Sequence, residues 1–151
     1  MDTKTKEIEK YVSELDWNCS IDQQNEAIRF LSETDEKYYT LFFDKTKKST
    51  WENAVKVVAK IGFPRNEPFL KNMVWLLRDV NWPGATQALE ILSSVEKAKV
   101  LPIIEEALLL ADAEDDFMWV AGIRILVSKA GYRQNEFTDK EIYKILRKAD
   151  F

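Results

Sequence analysis

The sequence predicts an all-α fold, a short HEAT-like or armadillo-like α-solenoid of antiparallel helix pairs. Three observations predict it. Apolar residues recur three and four apart along most of the chain, the spacing that lines one face of a helix. Only four glycines and four prolines interrupt 151 residues, so helix breakers are few. Helix starts expected near residues 50, 67, 83, 100, 116 and 138 set helix pairs about 33 residues apart, with Pro68 and Pro102 at equivalent places. Neither a tetratricopeptide nor an ankyrin consensus accompanies that period, although it is nearer their lengths than the roughly 40 or more residues of HEAT and armadillo units. An irregular helical bundle is the competing arrangement.

Residues 3–15 read as a first helix with Ile8, Tyr11, Val12 and Leu15 on one face, broken by Asp16-Trp17-Asn18. Ser20 with Gln23 forms a capping box for a second helix carrying Ala27, Ile28 and Leu31. Asp35 is expected to cap a short piece, Tyr38 to Phe43, for which an extended run is the alternative. The basic stretch 44–48 reads as a solvated linker. Ser49 with Glu52 is a second expected capping box, before a helix with Trp51, Ala54, Val55, Val58 and Ile61 that ends at Gly62. Pro68 is placed in the first turn of a helix running from Phe69 to Val80.

The stretch 78–95 is the centre of the pattern. Asn81-Trp82-Pro83-Gly84 ends one helix, and the next is expected to start near Pro83, because proline suits a first helical turn and pushes its predecessor out of helical geometry. Residues 93–99 connect to a helix starting near Pro102 and running to about Ala111. Asp115 or Asp116 is expected to cap the helix that carries Phe117, Val120, Ile123 and Val127 and stops before Gly131. Thr138 with Glu141 is a third expected capping box, opening a last helix through Ile142, Ile145 and Leu146.

Composition narrows the function classes. A net charge of −4 argues against general affinity for a nucleic-acid backbone. The absence of histidine removes the commonest general acid/base and the usual nucleophile pairs, so the chain is expected not to be an enzyme. The lone Cys19 excludes an internal disulfide. No run approaches the roughly 20 apolar residues that span a bilayer, and the N-terminus does not read as a secretory signal, so a soluble cytoplasmic protein is expected. No cofactor or metal is implied.

One surface stands out. In a paired-helix stack, the turns at 81–82 and 112–116 fall on the same edge, opposite those at 62–66 and 95–99. Asp79, Asn81 and Trp82 are therefore expected beside Asp112, Glu114, Asp115, Asp116 and Trp119. From Val100 to Ile123 there are six acids and no base. Asp79 and Asn81 are also read as caps for turn backbone, and both tryptophans as packing residues.

Asp79-Val80-Asn81-Trp82-Pro83-Gly84-Ala85 resembles the D-x-N-W-P-x-A signature of the bacterial DUF5071 family. Asp115-Asp116 with Trp119 resembles its later D-D-x-x-W element, and Trp51-Glu52-Asn53-Ala54 with Lys60-Ile61-Gly62-Phe63-Pro64 looks like its leading helix and turn. The resemblance covers roughly residues 41–131. One departure is Leu76 where the pattern has Trp, with Trp75 beside it. The resemblance implies a helical-repeat fold and carries no catalytic residues. The length of 151 residues suits a single domain, read as an N-terminal helical cap over 1–43, helix-pair repeats resembling the family over 44–131 and a C-terminal helix over 132–151. The function expected is protein–protein interaction of immunity or adaptor type, with the acidic edge facing a protein partner of basic character and Trp82 and Trp119 as anchors. The alternative is carboxylate-based cation binding or enzymatic chemistry at the same edge. The spacing there lacks the glycine and distal Glu of an EF-hand.

Overall fold

A computed structural model describes residues 2–149. All regular structure among the described residues is helical, and no helix among them is long and apolar enough to cross a membrane. The chain divides into two compact units, Met1–Phe69 and Leu70–Phe151.

The first unit holds α1 (Thr3–Ser13), α2 (Ile21–Ser32) and α3 (Trp51–Ile61), with α2 packed on both others. Ser20 and Gln23 form the expected capping box. Asp35 caps the run after α2, which is a 3-10 turn (Glu36–Leu41) and not extended. There Tyr39 and Phe42 turn inward onto Phe69, with ring centroids 4.6 and 5.7 Å from it. The buried Asn53 ties the three helices together. Its amide donates to the Leu15 carbonyl at 2.7 Å and to Gln24 Oε1 at 2.9 Å, so a polar side chain is buried with its donors used.

The second expected box does not form. A 3-10 turn (Lys48–Thr50) precedes α3, and Thr50 at the cap position makes no side-chain cap bond. The cause is tertiary: the Ser49 carbonyl accepts from the Trp17 amide at 3.1 Å, and its side chain hydrogen-bonds Asp16. Gly62 does end α3, at φ 77°, where a side chain would be strained.

The second unit holds α4 (Leu70–Leu76), α5 (Ala85–Ser94), α6 (Lys97–Ala113), α7 (Phe117–Ala130) and α8 (Lys140–Lys144), followed by a 3-10 turn (Ile145–Lys148). Packing runs both within and between pairs: α4 on α5 and α6 on α7, then α4 on α6 and α5 on α7.

Several expected boundaries are corrected here. α4 stops at Leu76 and not at Val80, because the Leu77 and Arg78 amides fall back on carbonyls three residues earlier, those of Val74 and Trp75. α5 begins at Ala85 and not near Pro83: Gly84 stands at φ 88°, a left-handed conformation that interrupts any helix begun at Pro83. α6 begins at Lys97, which leaves Pro102 inside the helix, exposed, at the level where its missing N–H leaves the Ala98 carbonyl without the usual partner. α8 begins at Lys140 under Asp139, because both the amide and the hydroxyl of Thr138 donate to the buried Glu105, at 2.9 and 2.7 Å. The helices from α3 on therefore start at Trp51, Leu70, Ala85, Lys97, Phe117 and Lys140, an uneven series in place of the regular step read from the sequence.

Helix α7 meets the turn after α4 through a glycine. A Cβ on Gly122 would overlap the Leu77 carbonyl oxygen and stand 2.9 Å from its carbon. The obstacle is backbone, which cannot rotate aside. Gly122→Ala is therefore expected to destabilise the protein by about 1–3 kcal/mol through overpacking. Urea denaturation checks this. An unchanged midpoint would show that α7 can stand away from Leu77 without loss.

Candidate functional site

The acidic edge is built from the turn after α4 and the turn between α6 and α7. Asp116 ends the second turn and caps α7, accepting from the Trp119 amide at 3.1 Å. Its other oxygen takes both Nε and Nη2 of Arg78, at 3.1 and 3.0 Å. Glu114 lies 3.7 Å from the same guanidinium. The Arg78 guanidinium also stands over the Trp119 ring, 4.8 Å from its centroid. Trp119 in turn is 4% exposed, and its indole N–H donates to the Val74 carbonyl at 3.0 Å. These contacts form a closed circuit: Asp116 orients Arg78, Arg78 covers Trp119, and Trp119 holds α7 to the end of α4.

Asp79, Asn81 and Trp82 belong to the other side of this edge. Asp79 Oδ1 accepts the Asn81 amide at 2.8 Å, and its carbonyl accepts the Trp82 amide at 2.9 Å. The short Asp side chain thus mimics a backbone turn. Trp82 is half-buried and packs against Trp75, with centroids 5.2 Å apart and planes tilted by 35°. Leu76, the departure from the family pattern, is fully buried. Asp112 pairs with Lys148. Asp115 is exposed at the tip of its turn, at φ 53°, a left-handed conformation that Asp tolerates better than most residues.

The structure thus brings Glu114, Asp116 and Trp119 onto one guanidinium and gives Asp79 the capping role, with the Asn81 amide as the group it caps. Sequence reasoning missed that guanidinium. The run of acids without a base finds its cations elsewhere in the chain: Arg78 for Asp116 and Glu114, Lys148 for Asp112 and Lys71 for Glu106. Arg78 did stand beside Asp79 in the expected edge, and that adjacency was the available signal. Lys148 had none. Among the described residues, no group of three or more acidic or cysteine side chains is arranged to hold a metal ion.

Charge is not fully balanced within the circuit. One guanidinium faces two carboxylates, and Asp115 adds a third at the exposed tip. Beside them stand Leu110 and Met118, exposed by 48% and 55%. An excess of carboxylate next to accessible apolar surface can attract a cationic group and seat an apolar one.

No family model matches the chain, and neither a curated protein nor a solved structure matches it.

Trp119→Phe keeps an aromatic ring but removes the indole donor together with part of the buried ring volume, leaving the Val74 carbonyl without that partner. The expected cost is ~1–3 kcal/mol. It is measured by chemical denaturation, and wild-type stability in the variant would mean that neither the bond nor the indole packing adds to the circuit.

Proposed function

We propose that the protein is a binding module of adaptor or immunity type, which uses the 110–118 turn and its surroundings to dock a basic protein partner. The observation that carries this reading is the unbalanced charge at Glu114 and Asp115 beside exposed Leu110 and Met118. Complementary charge speeds encounter and selects among partners, and apolar anchors hold the complex once formed.

The anchors differ from those expected from sequence alone. Trp119 is enclosed and serves to position the turn, while Leu110 and Met118 present accessible surface. Trp82 packs against Trp75 and shapes the neighbouring turn. The repeat architecture belongs to the same reading: the stacking of α4 on α6 and α5 on α7 supports a HEAT-like arrangement of helix pairs, and the DUF5071 resemblance and a cytoplasmic location are part of it.

The test is affinity capture from the source cell at low and moderate salt, with the wild type and a double variant, Glu114→Gln with Asp115→Asn. Asn tolerates the left-handed conformation at 115, so charge is removed with little backbone strain. Wild type is expected to recover one stoichiometric basic protein. Association of that protein with the variant should be about tenfold slower at low salt, as for the loss of steering charge, with helicity by circular dichroism unchanged. Equal association by the well-folded variant would rule out this edge as the interface.

A further inference from the structure

Helix α6 carries apolar residues on all sides. Val100, Ile104, Leu108 and Ala111 face inward and are fully buried against its neighbours in the second unit. The outward face, set by the three- and four-residue spacing of a helix, holds Pro102, Ile103, Glu106, Leu109, Leu110 and Ala113. Leu109 and Leu110 are exposed by 52% and 48%, and Met118 at the start of α7 by 55%. A helix with one side in water ordinarily keeps that side polar, and one that is apolar all round is ordinarily covered all round. The charged residue of the outward face, Glu106, is paired with Lys71 at 3.0 Å, so it adds little net charge to the row.

Charge and backbone chemistry together define what covers this face. Beyond its C-terminal end lie Glu114, which shares the Arg78 guanidinium with Asp116, and Asp115 at the exposed tip of the turn. The negative end of α6 points the same way. An occupant therefore places cations at that end and apolar groups over the leucines. Between Glu106 and Ala113, α6 spends its backbone hydrogen bonds on its own helix and presents no edge to a strand. An extended segment laid across the leucines would bury amides and carbonyls without partners, whereas a helix satisfies its own. The row from Pro102 to Ala113 is roughly 17 Å long at about 1.5 Å per residue, room for about three turns of a second helix.

We infer that the outward face of α6 docks an amphipathic helix of the protein partner. The apolar side of that helix rests on Leu109, Leu110 and Met118, and its Lys or Arg residues lie over Glu114 and Asp115. Anchors three, four and seven residues apart are the usual signature of such a docked helix. The inference rests on the reading of the 110–118 turn as the docking site for a basic protein, and it adds the local structure of that partner.

Three synthetic peptides serve as probes. In the first, leucines recur at helix spacing within an alanine background and lysines flank the stripe near one end. The second permutes the same residues so that the leucines share no helix face. The third has glutamate for each lysine of the first. Each is titrated at fixed ionic strength into the intact, isotopically labelled protein and followed through backbone amide resonances, with circular dichroism reporting peptide helicity. The first peptide is expected to give saturable shifts centred on residues 106–118, to gain helicity on binding, and to bind about tenfold more tightly than the second. Leu109→Gln with Leu110→Gln, at exposed positions where glutamine keeps helix propensity, should weaken its binding about tenfold, as for the loss of interface anchors. Absent shifts with the first peptide, equal affinity for the two lysine peptides, or a double variant that binds the first as tightly as wild type would each overturn the inference. None of these touches the basic-partner reading, which the Glu114→Gln with Asp115→Asn variant tests. Binding of the glutamate peptide as tight as that of the first would overturn both. Self-association of the protein that the Leu109→Gln with Leu110→Gln variant loses would assign the face to a second copy and overturn the inference alone.

Discussion

The second unit depends on how the short helix α4 ends. Its last carbonyls have no continuing helix to pair with, and a helix end buried without partners is costly. The Val74 carbonyl is taken by the Leu77 amide and by the Trp119 indole. That second bond requires α7 to approach nearly to backbone contact, which Gly122 permits against Leu77. Once Trp119 is drawn in, Arg78 can lie over its ring while Asp116, one helical turn away, holds the guanidinium and caps α7. A missing side chain at position 122 therefore underlies the placement of Trp119, Arg78 and Asp116 on the acidic edge.

The first unit solves a similar problem with a different group. There the polar tie is Asn53, whose one amide nitrogen reaches both the Leu15 carbonyl at the end of the α1 segment and Gln24 of α2. Asn66 does the corresponding work at the end of α3, donating to the Val58 carbonyl at 3.0 Å beside Gly62. In both units, side-chain amides or an indole satisfy backbone groups where helices are too short to satisfy their own.

The helical class and most of the core were legible because periodicity is local. Ile8, Ala27, Leu31, Val55, Leu70, Leu92, Ile104 and Ile123 are all buried as their spacing indicates. Caps were legible where no distant group competes, as at Ser20 with Gln23 and at Asp116. They were misread where one does: Ser49 is drawn to Asp16 and Trp17, and Thr138 to Glu105, partners 32 or more residues away in sequence. Proline misled twice, since Pro83 lies in a turn governed by Gly84 and Pro102 is tolerated within a long, well-packed helix. The acids of the candidate site could be named from the sequence, but their cations could not, because Arg78 and Lys148 reach them across 38 and 36 residues.

The Arg78 circuit also sets which solution variable can modulate this surface. The chain has no histidine, so the side-chain type that ordinarily gains or loses charge near neutral pH is absent. Guanidinium stays charged throughout that range. The surface carries charged groups of both signs. Its reach is governed by mobile ions: at about 0.15 M salt the Debye length is roughly 8 Å, and dilution extends it several-fold. Whatever meets this edge senses the salt of its surroundings.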